Sequence, residues 1–223
     1  MKIFYRVLQD FDEYSQGDLL DLEGFLPFHP QDWIDDGKVE QWIDETPEHE
    51  RWNDLRCPMS AGRANTSPPT MATFRDGLIT WSYSASQVNQ LYFEAQLPHG
   101  WVNGSEIRPH IHWSPGNSTN TGNVKWQLEY SWSNAVNAPD NVFEASTTLT
   151  AVQAASGTPY THQIAQFPGI DGTGMRDSSV LLCRIARVGD DVADTFTGAA
   201  YGISFDLHYQ IASSGSVTEY PAS

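Results

Sequence analysis

His110 and His112, separated by one residue, are the pair in this 223-residue chain whose types and spacing most directly suggest chemistry. On a strand, alternate side chains share a face, so both imidazoles can reach one partner, with Arg108 on the same side. Neutral imidazole nitrogens ligate zinc and its neighbours among the transition metals. His208, two residues past Asp206 in another alternating run, offers a third nitrogen, with Asp206 as an orienting or ligating carboxylate. Two features oppose a metal. Arg108 puts a fixed positive charge on the same face, and the fourth and fifth positions after His112 are Gly116 and Asn117, not a carboxylate. The nearest acid downstream, Glu129, lies on the polar side of the next strand. The expectation is therefore a polar strand face or subunit interface whose histidines bond to neighbours, with no metal and no cofactor.

The stretch from Gly104 to His112 resembles the opening of a cupin-like metal motif, a glycine and five residues before His-x-His, but lacks the carboxylate that should follow. Other chemistry has less support. No Gly-x-Ser-x-Gly elbow exists, and neither cysteine has an activating neighbour in sequence. Asp171-Gly172-Thr173-Gly174 reads as a turn. Asp190, Asp191 and Asp194 match no twelve-residue calcium loop and read as a solvated acidic turn. The expected protein is not an enzyme.

The histidines sit in an apolar run, residues 107–113, followed by a Gly/Asn/Ser/Thr turn and the run 124–132. The second run places Val124, Trp126, Leu128, Tyr130 and Trp132 on one face, as a half-buried strand requires, and the two runs read as a hairpin. From residue 74 onward eight strands are expected, at 78–83, 90–97, 107–114, 124–132, 142–149, 160–167, 179–188 and 201–212. Turn clusters at this spacing, without a useful amphipathic helix, indicate an all-β antiparallel sandwich, and eight is the strand number of a jelly roll.

Ahead of this domain, residues 1–45 read as a small α+β module: strands near 2–11 and 17–22, a helical turn at His29–Ile34, and a last strand at Val39–Trp42. Residues 46–73, with Pro47, Pro58, Pro68 and Pro69, read as an irregular connecting strap, pinned to the next domain by Trp52 and Leu55. The domains are then 1–45, 46–73 and 74–223. Twenty-eight acidic against twelve basic residues give a formal charge of -16, which opposes binding to nucleic acid or anionic membranes. Two cysteines are too few for a disulfide scaffold, and Cys183 reads as a buried hydrophobe. No signal-like or membrane-spanning run is present, so a protein folded in a reducing cytosol is expected.

Several stretches together resemble a family of virion structural proteins of tailed bacteriophages. They are Trp52-Asn53-Asp54-Leu55-Arg56-Cys57-Pro58, Leu97-Pro98-His99-Gly100-Trp101, residues 104–113 with Pro109-His110-Ile111-His112-Trp113 as the most distinctive part, Gly169-Ile170-Asp171-Gly172-Thr173-Gly174, and Phe205-Asp206-Leu207-His208-Tyr209-Gln210. The N-terminal module is similar to small modules from structural genes of the same phages. The resemblance implies a non-enzymatic, trimeric β-sandwich on the particle, assembled in the host cytoplasm. It implies the major capsid protein or other virion proteins as partners, and an acidic module joined by a proline-rich strap to a stable sandwich suits the post of a capsid decoration (cement) protein, reaching a second subunit. A head-fibre, collar or tail component contacting host glycans is one alternative, and a cupin-like metal-binding protein using His110, His112 and His208 is the other. Arg108, His110, His112, Trp33, Trp42 and Trp52 are the expected interface residues. Because aromatics line sugar-binding grooves, Trp101 and Trp113 are the expected glycan contacts.

Overall fold

The computed structural model describes residues 51–135 and 141–211, together with the backbone of strands at residues 3–7, 19–20 and 39–43. The chain divides into two compact units, Met1–Glu50 and Arg51–Ser223. In the first, β1 (Ile3–Val7) pairs antiparallel with both β2 (Leu19–Leu20) and β3 (Val39–Ile43). These three strands fall where the sequence places them. The expected helical turn, and with it Trp33, lies outside the described residues, and Trp42 lies on β3 opposite Phe4.

The second unit is an antiparallel sandwich of two sheets. Its strands are β4 (Trp52–Pro58), β5 (Thr70–Arg75), β6 (Leu78–Tyr83), β7 (Val88–Gln96), β8 (Arg108–Ser114), β9 (Asn123–Ser133), β10 (Thr147–Ala154), β11 (Gln163–Gln166), β12 (Val180–Val188) and β13 (Ala200–Gln210). One sheet runs β10-β9-β12-β7; the other runs β11-β8-β13-β6-β5, with β4 also on β13. Among β6 to β13 the first strand pairs with the last, the second with the seventh, the third with the sixth and the fourth with the fifth. This is a long ribbon folded over on itself, the jelly-roll arrangement of eight strands in two Greek keys. The β5–β6 hairpin closes at Asp76-Gly77, with Asp76 at φ 50°, as a tight primed turn demands.

Three expectations are corrected. β8 and β9 are not a hairpin: they lie in different sheets. Each carries a large apolar stripe, Ile111 and Trp113 on one, Val124, Trp126 and Leu128 on the other, all fully buried, and both stripes are covered when they face each other across the core. Trp113 and Trp126 meet there with ring centroids 6.1 Å apart. The strand expected at 142–149 forms at 147–154.

Among its described residues the strap is irregular only in part, since 52–58 and 70–73 are strand while 62–69 hold no strand or helix. Residues 52–58 pair with residues 204–210 of β13 in seven consecutive registers. Its described prolines bound strands instead of interrupting them, since Pro58 closes β4 and Pro68-Pro69 precede β5, leaving the N–H groups between free to donate. Cys57 is buried and Leu55 packs on the core, so the strap belongs to the sandwich and the boundary falls near residue 50.

Candidate functional site

The six-stranded sheet turns Ile111, Trp113, Phe205 and Leu207 into the core, and strand parity sends the intervening residues to its other face. There His110 lies opposite Asp206, His112 opposite Ser204 and Arg108 opposite His208. On the next strand Asp54 is in register with His208, and Arg56 with Asp206. Three strands thus set a patch of imidazoles and carboxylates on one rigid surface.

Within it, His110 Nε2 and His112 Nε2 are 2.8 Å apart. Oδ2 of Asp206 is 3.2 Å from His112 Nε2 and 3.8 Å from His110 Nε2. Ser204 Oγ donates to the other carboxylate oxygen of Asp206. His112 Nδ1 lies 2.6 Å from His162 Nε2, with the two rings stacked. His208 packs its ring against that of His110 at 4.2 Å and directs Nε2 to Asp54 Oδ1 at 2.6 Å. His110 and Asp206 have side chains only 5 % exposed, His112 18 %, so the cluster meets solvent at the His112 side.

Burial holds the His110 imidazole below the ordinary histidine range, and His208 and His112 push it the same way against the pull of Asp206. Burial also lowers His112, opposed by Asp206 and reinforced by His162. Both rings therefore favour the neutral form. His110, His112 and Asp206 each present one ligand atom, all within 4.8 Å of one another.

The sequence-predicted residues fare unevenly. His110 and His112 share a face as expected, but His110 is too buried to touch another subunit, so contact from this strand would fall to Arg108 and His112. Arg108 does not aim its charge at the histidines: Nε is 2.5 Å from Glu106 Oε1, and the guanidinium lies 4.3 Å over the Trp52 ring. Asp206, not His208, completes the set of three. Glu129 is on the other sheet, bound to Arg184. Trp101 and Trp113 are corrected as glycan contacts, being 3 % and 0 % exposed; both fill the core, and Trp113 donates Nε1–H to Gln153. Residues 171–174 form a turn, in which Thr173 N–H donates to Asp171 Oδ1. His162 and Asp54 escaped sequence reading because neither sits in a motif; Asp54 enters the patch through the pairing of β4 with β13, and His162 by directly preceding β11, which pairs with β8.

A second concavity, about 360 Å³, lies over the four-stranded sheet and is lined by Arg63, Tyr92, Glu129, Ser131, Leu182 and Arg184 among others. Arg184 is held there by Glu129, Gln90 and Gln127.

No family model matches the chain, and no curated protein matches it. Among solved structures it is similar to the CBM22-1–GH10 modules of Clostridium thermocellum endo-1,4-beta-D-xylanase 10B, complexed with xylohexaose, at TM-score 0.34 and 10% identity. The match covers 78% of this chain and spans 28% of that one, and at that level it carries no argument.

Proposed function

We propose that the chain is a structural protein of a tailed-phage particle, acting as a homotrimeric decoration protein that binds and stabilises the head lattice. One observation supports this reading above others: the five scattered stretches that resemble virion proteins fold into one contiguous region. Residues 52–58 pair with 204–210, these pair in turn with 108–114, Trp101 bridges Ile211, and Ile107 bridges Ile170. A likeness carried by one connected part of a sheet is what a shared structural role would leave. Met71, Leu78 and Ile79 of the β5–β6 hairpin are 47, 69 and 63 % exposed, apolar surface that a neighbouring subunit would cover. The charge of -16 suits a protein shell better than the packaged genome.

The test is to heat particles assembled with and without the protein. Loss of integrity at a lower temperature without it supports a cement role, and equal stability overturns it. Light scattering of the isolated chain should give near three times 24.9 kDa; a monomer at micromolar concentration contradicts the trimer.

The groove lined by Tyr92 and Arg184 favours a second reading, a head-fibre or tail component contacting host glycans. An aromatic ring beside fixed polar groups is the composition of a sugar subsite. Glycan-array binding that is lost in Tyr92→Ala would support it, and a blank array would remove it.

A further inference from the structure

We propose that His110, His112 and Asp206 form a binding site for a single divalent transition-metal ion of the zinc class. This goes beyond the virion reading and does not rest on it.

The geometry carries the inference. The three ligand atoms form a triangle with edges of 2.8, 3.2 and 3.8 Å. An ion held tetrahedrally with bonds of about 2.05 Å needs ligand atoms about 3.3 Å apart. The mean edge meets that need, and no atom has to move by more than about half an ångström. The ligands stand on adjacent, hydrogen-bonded strands, His110 directly opposite Asp206, so the sheet itself sets their spacing.

The surrounding contacts orient the set as outer contacts do around a metal. Ser204 Oγ occupies one oxygen of Asp206 and leaves Oδ2 facing the imidazoles. His162 Nε2 meets His112 Nδ1; with the proton on that Nδ1 as donor, Nε2 of His112 keeps its lone pair for the ion. His110 is anchored by a hydrogen bond to the Arg108 backbone. His208 stands outside the set of three, with its Nε2 turned to Asp54.

Both sequence objections are answered. The missing carboxylate is supplied across the sheet by Asp206, and the Arg108 charge is absorbed by Glu106 and Trp52. Arg56, in register with Asp206, remains as a facing cation, balanced by Asp54 two residues earlier. Two imidazoles and one carboxylate select borderline transition metals over Ca²⁺ or Mg²⁺, which require oxygen cages.

The experiment uses untagged full-length protein freed of metal by a chelator, titrated with Zn²⁺ calorimetrically and with Co²⁺ by visible absorption. One equivalent per chain and cobalt ligand-field bands are expected. His112→Gln and Asp206→Asn should each weaken binding by at least about tenfold, whereas His208→Gln should stay within about threefold. Nitrogen-detected histidine NMR of the unaltered chain keeps the test decisive if a variant misfolds, because zinc must shift the Nε2 signals of His110 and His112. Binding below about a tenth of an equivalent overturns the site. So does full affinity in folded His112→Gln and Asp206→Asn, or unshifted Nε2 signals.

Discussion

Arg187 and Asp194 form a fork-to-fork ion pair with both side chains fully buried: Nη2 is 2.7 Å from Oδ1 and Nε 2.9 Å from Oδ2. The remaining guanidinium donors reach the carbonyls of Tyr83, Gly198 and Phe196, so all five are used. Asp194 also accepts from the Lys125 backbone N–H. The acidic turn that the sequence suggests is solvated is thus fastened through Asp194 to the end of β12.

Removing one partner leaves an uncompensated buried charge. Asp194→Ala should cost about 3–5 kcal/mol. Arg187→Lys should also be strongly destabilising, because an ammonium cannot reproduce the planar fork. Urea denaturation checks both; midpoints unchanged from the parent would show that the pair is dispensable.

The position of β4 fixes where the sandwich begins. A fragment of residues 51–223 should fold with a Tm within a few degrees of the full chain. One starting at Met59 leaves β13 paired with β8 alone along 204–208, with no β4 partner along 204–210, and removes Leu55 and Cys57 from the core. It should melt at least about 10 °C lower or fail to fold, since about 1 kcal/mol shifts a domain of this size by 2–4 °C. Equal melting of the two fragments would restore the strap to a mere connector.

Strand faces were legible in the sequence where alternation is strict. Along β9 and β13 the apolar set alternates with polar residues, and the period-two rule assigns Phe205 and Leu207 inward and Asp206 and His208 outward without any knowledge of neighbours. What could not be read is which strands adjoin. The apolar stripes of β8 and β9 would be satisfied equally by a hairpin or by facing each other across a core, and only the assembled topology decides. The site depends on that decision. His110 and His112 announce themselves by spacing, but Asp206 joins them through a register set far along the chain, and Asp54 through a strand whose flanking prolines disguise it. Trp101 and Trp113 were misjudged because residue type does not distinguish a ring that fills a core from one that meets a ligand.

Both cysteines are buried free thiols. Burial, helped by the Asp206 charge, pushes Cys57 up to about 11, and burial with the nearby Cys57 also raises Cys183. The unfolded chain ionises these thiols near pH 8.5, so above that pH it holds fewer protons than the fold. Stability should therefore be constant with respect to them below about pH 8.5 and fall as pH rises toward about 11, by on the order of 1–2 kcal/mol per thiol near pH 10. Urea midpoints for the parent and for Cys57→Ala with Cys183→Ala, compared at about pH 8 and about pH 10, check the sign. The double variant should show the shallower decline. Rapid labelling of both native thiols near neutral pH would contradict their burial.

Gly172 is required by packing and Gly77 is not. A Cβ on Gly172 would collide with the carbonyl of Ser105 and lie 2.9 Å from the Trp101 ring. Because the obstruction is backbone, neither partner can swing aside, and the 169–174 loop would lift from the β8 approach where Ile107 bridges Ile170. A Cβ on Gly77 meets nothing within 4 Å. Gly172→Ala should thus destabilise by about 1–3 kcal/mol, while Gly77→Ala should change stability by less than about 0.5 kcal/mol. Thermal and urea unfolding of the two variants side by side distinguishes them. Equal, small effects would mean that the loop does not seat against Ser105 and Trp101 in solution.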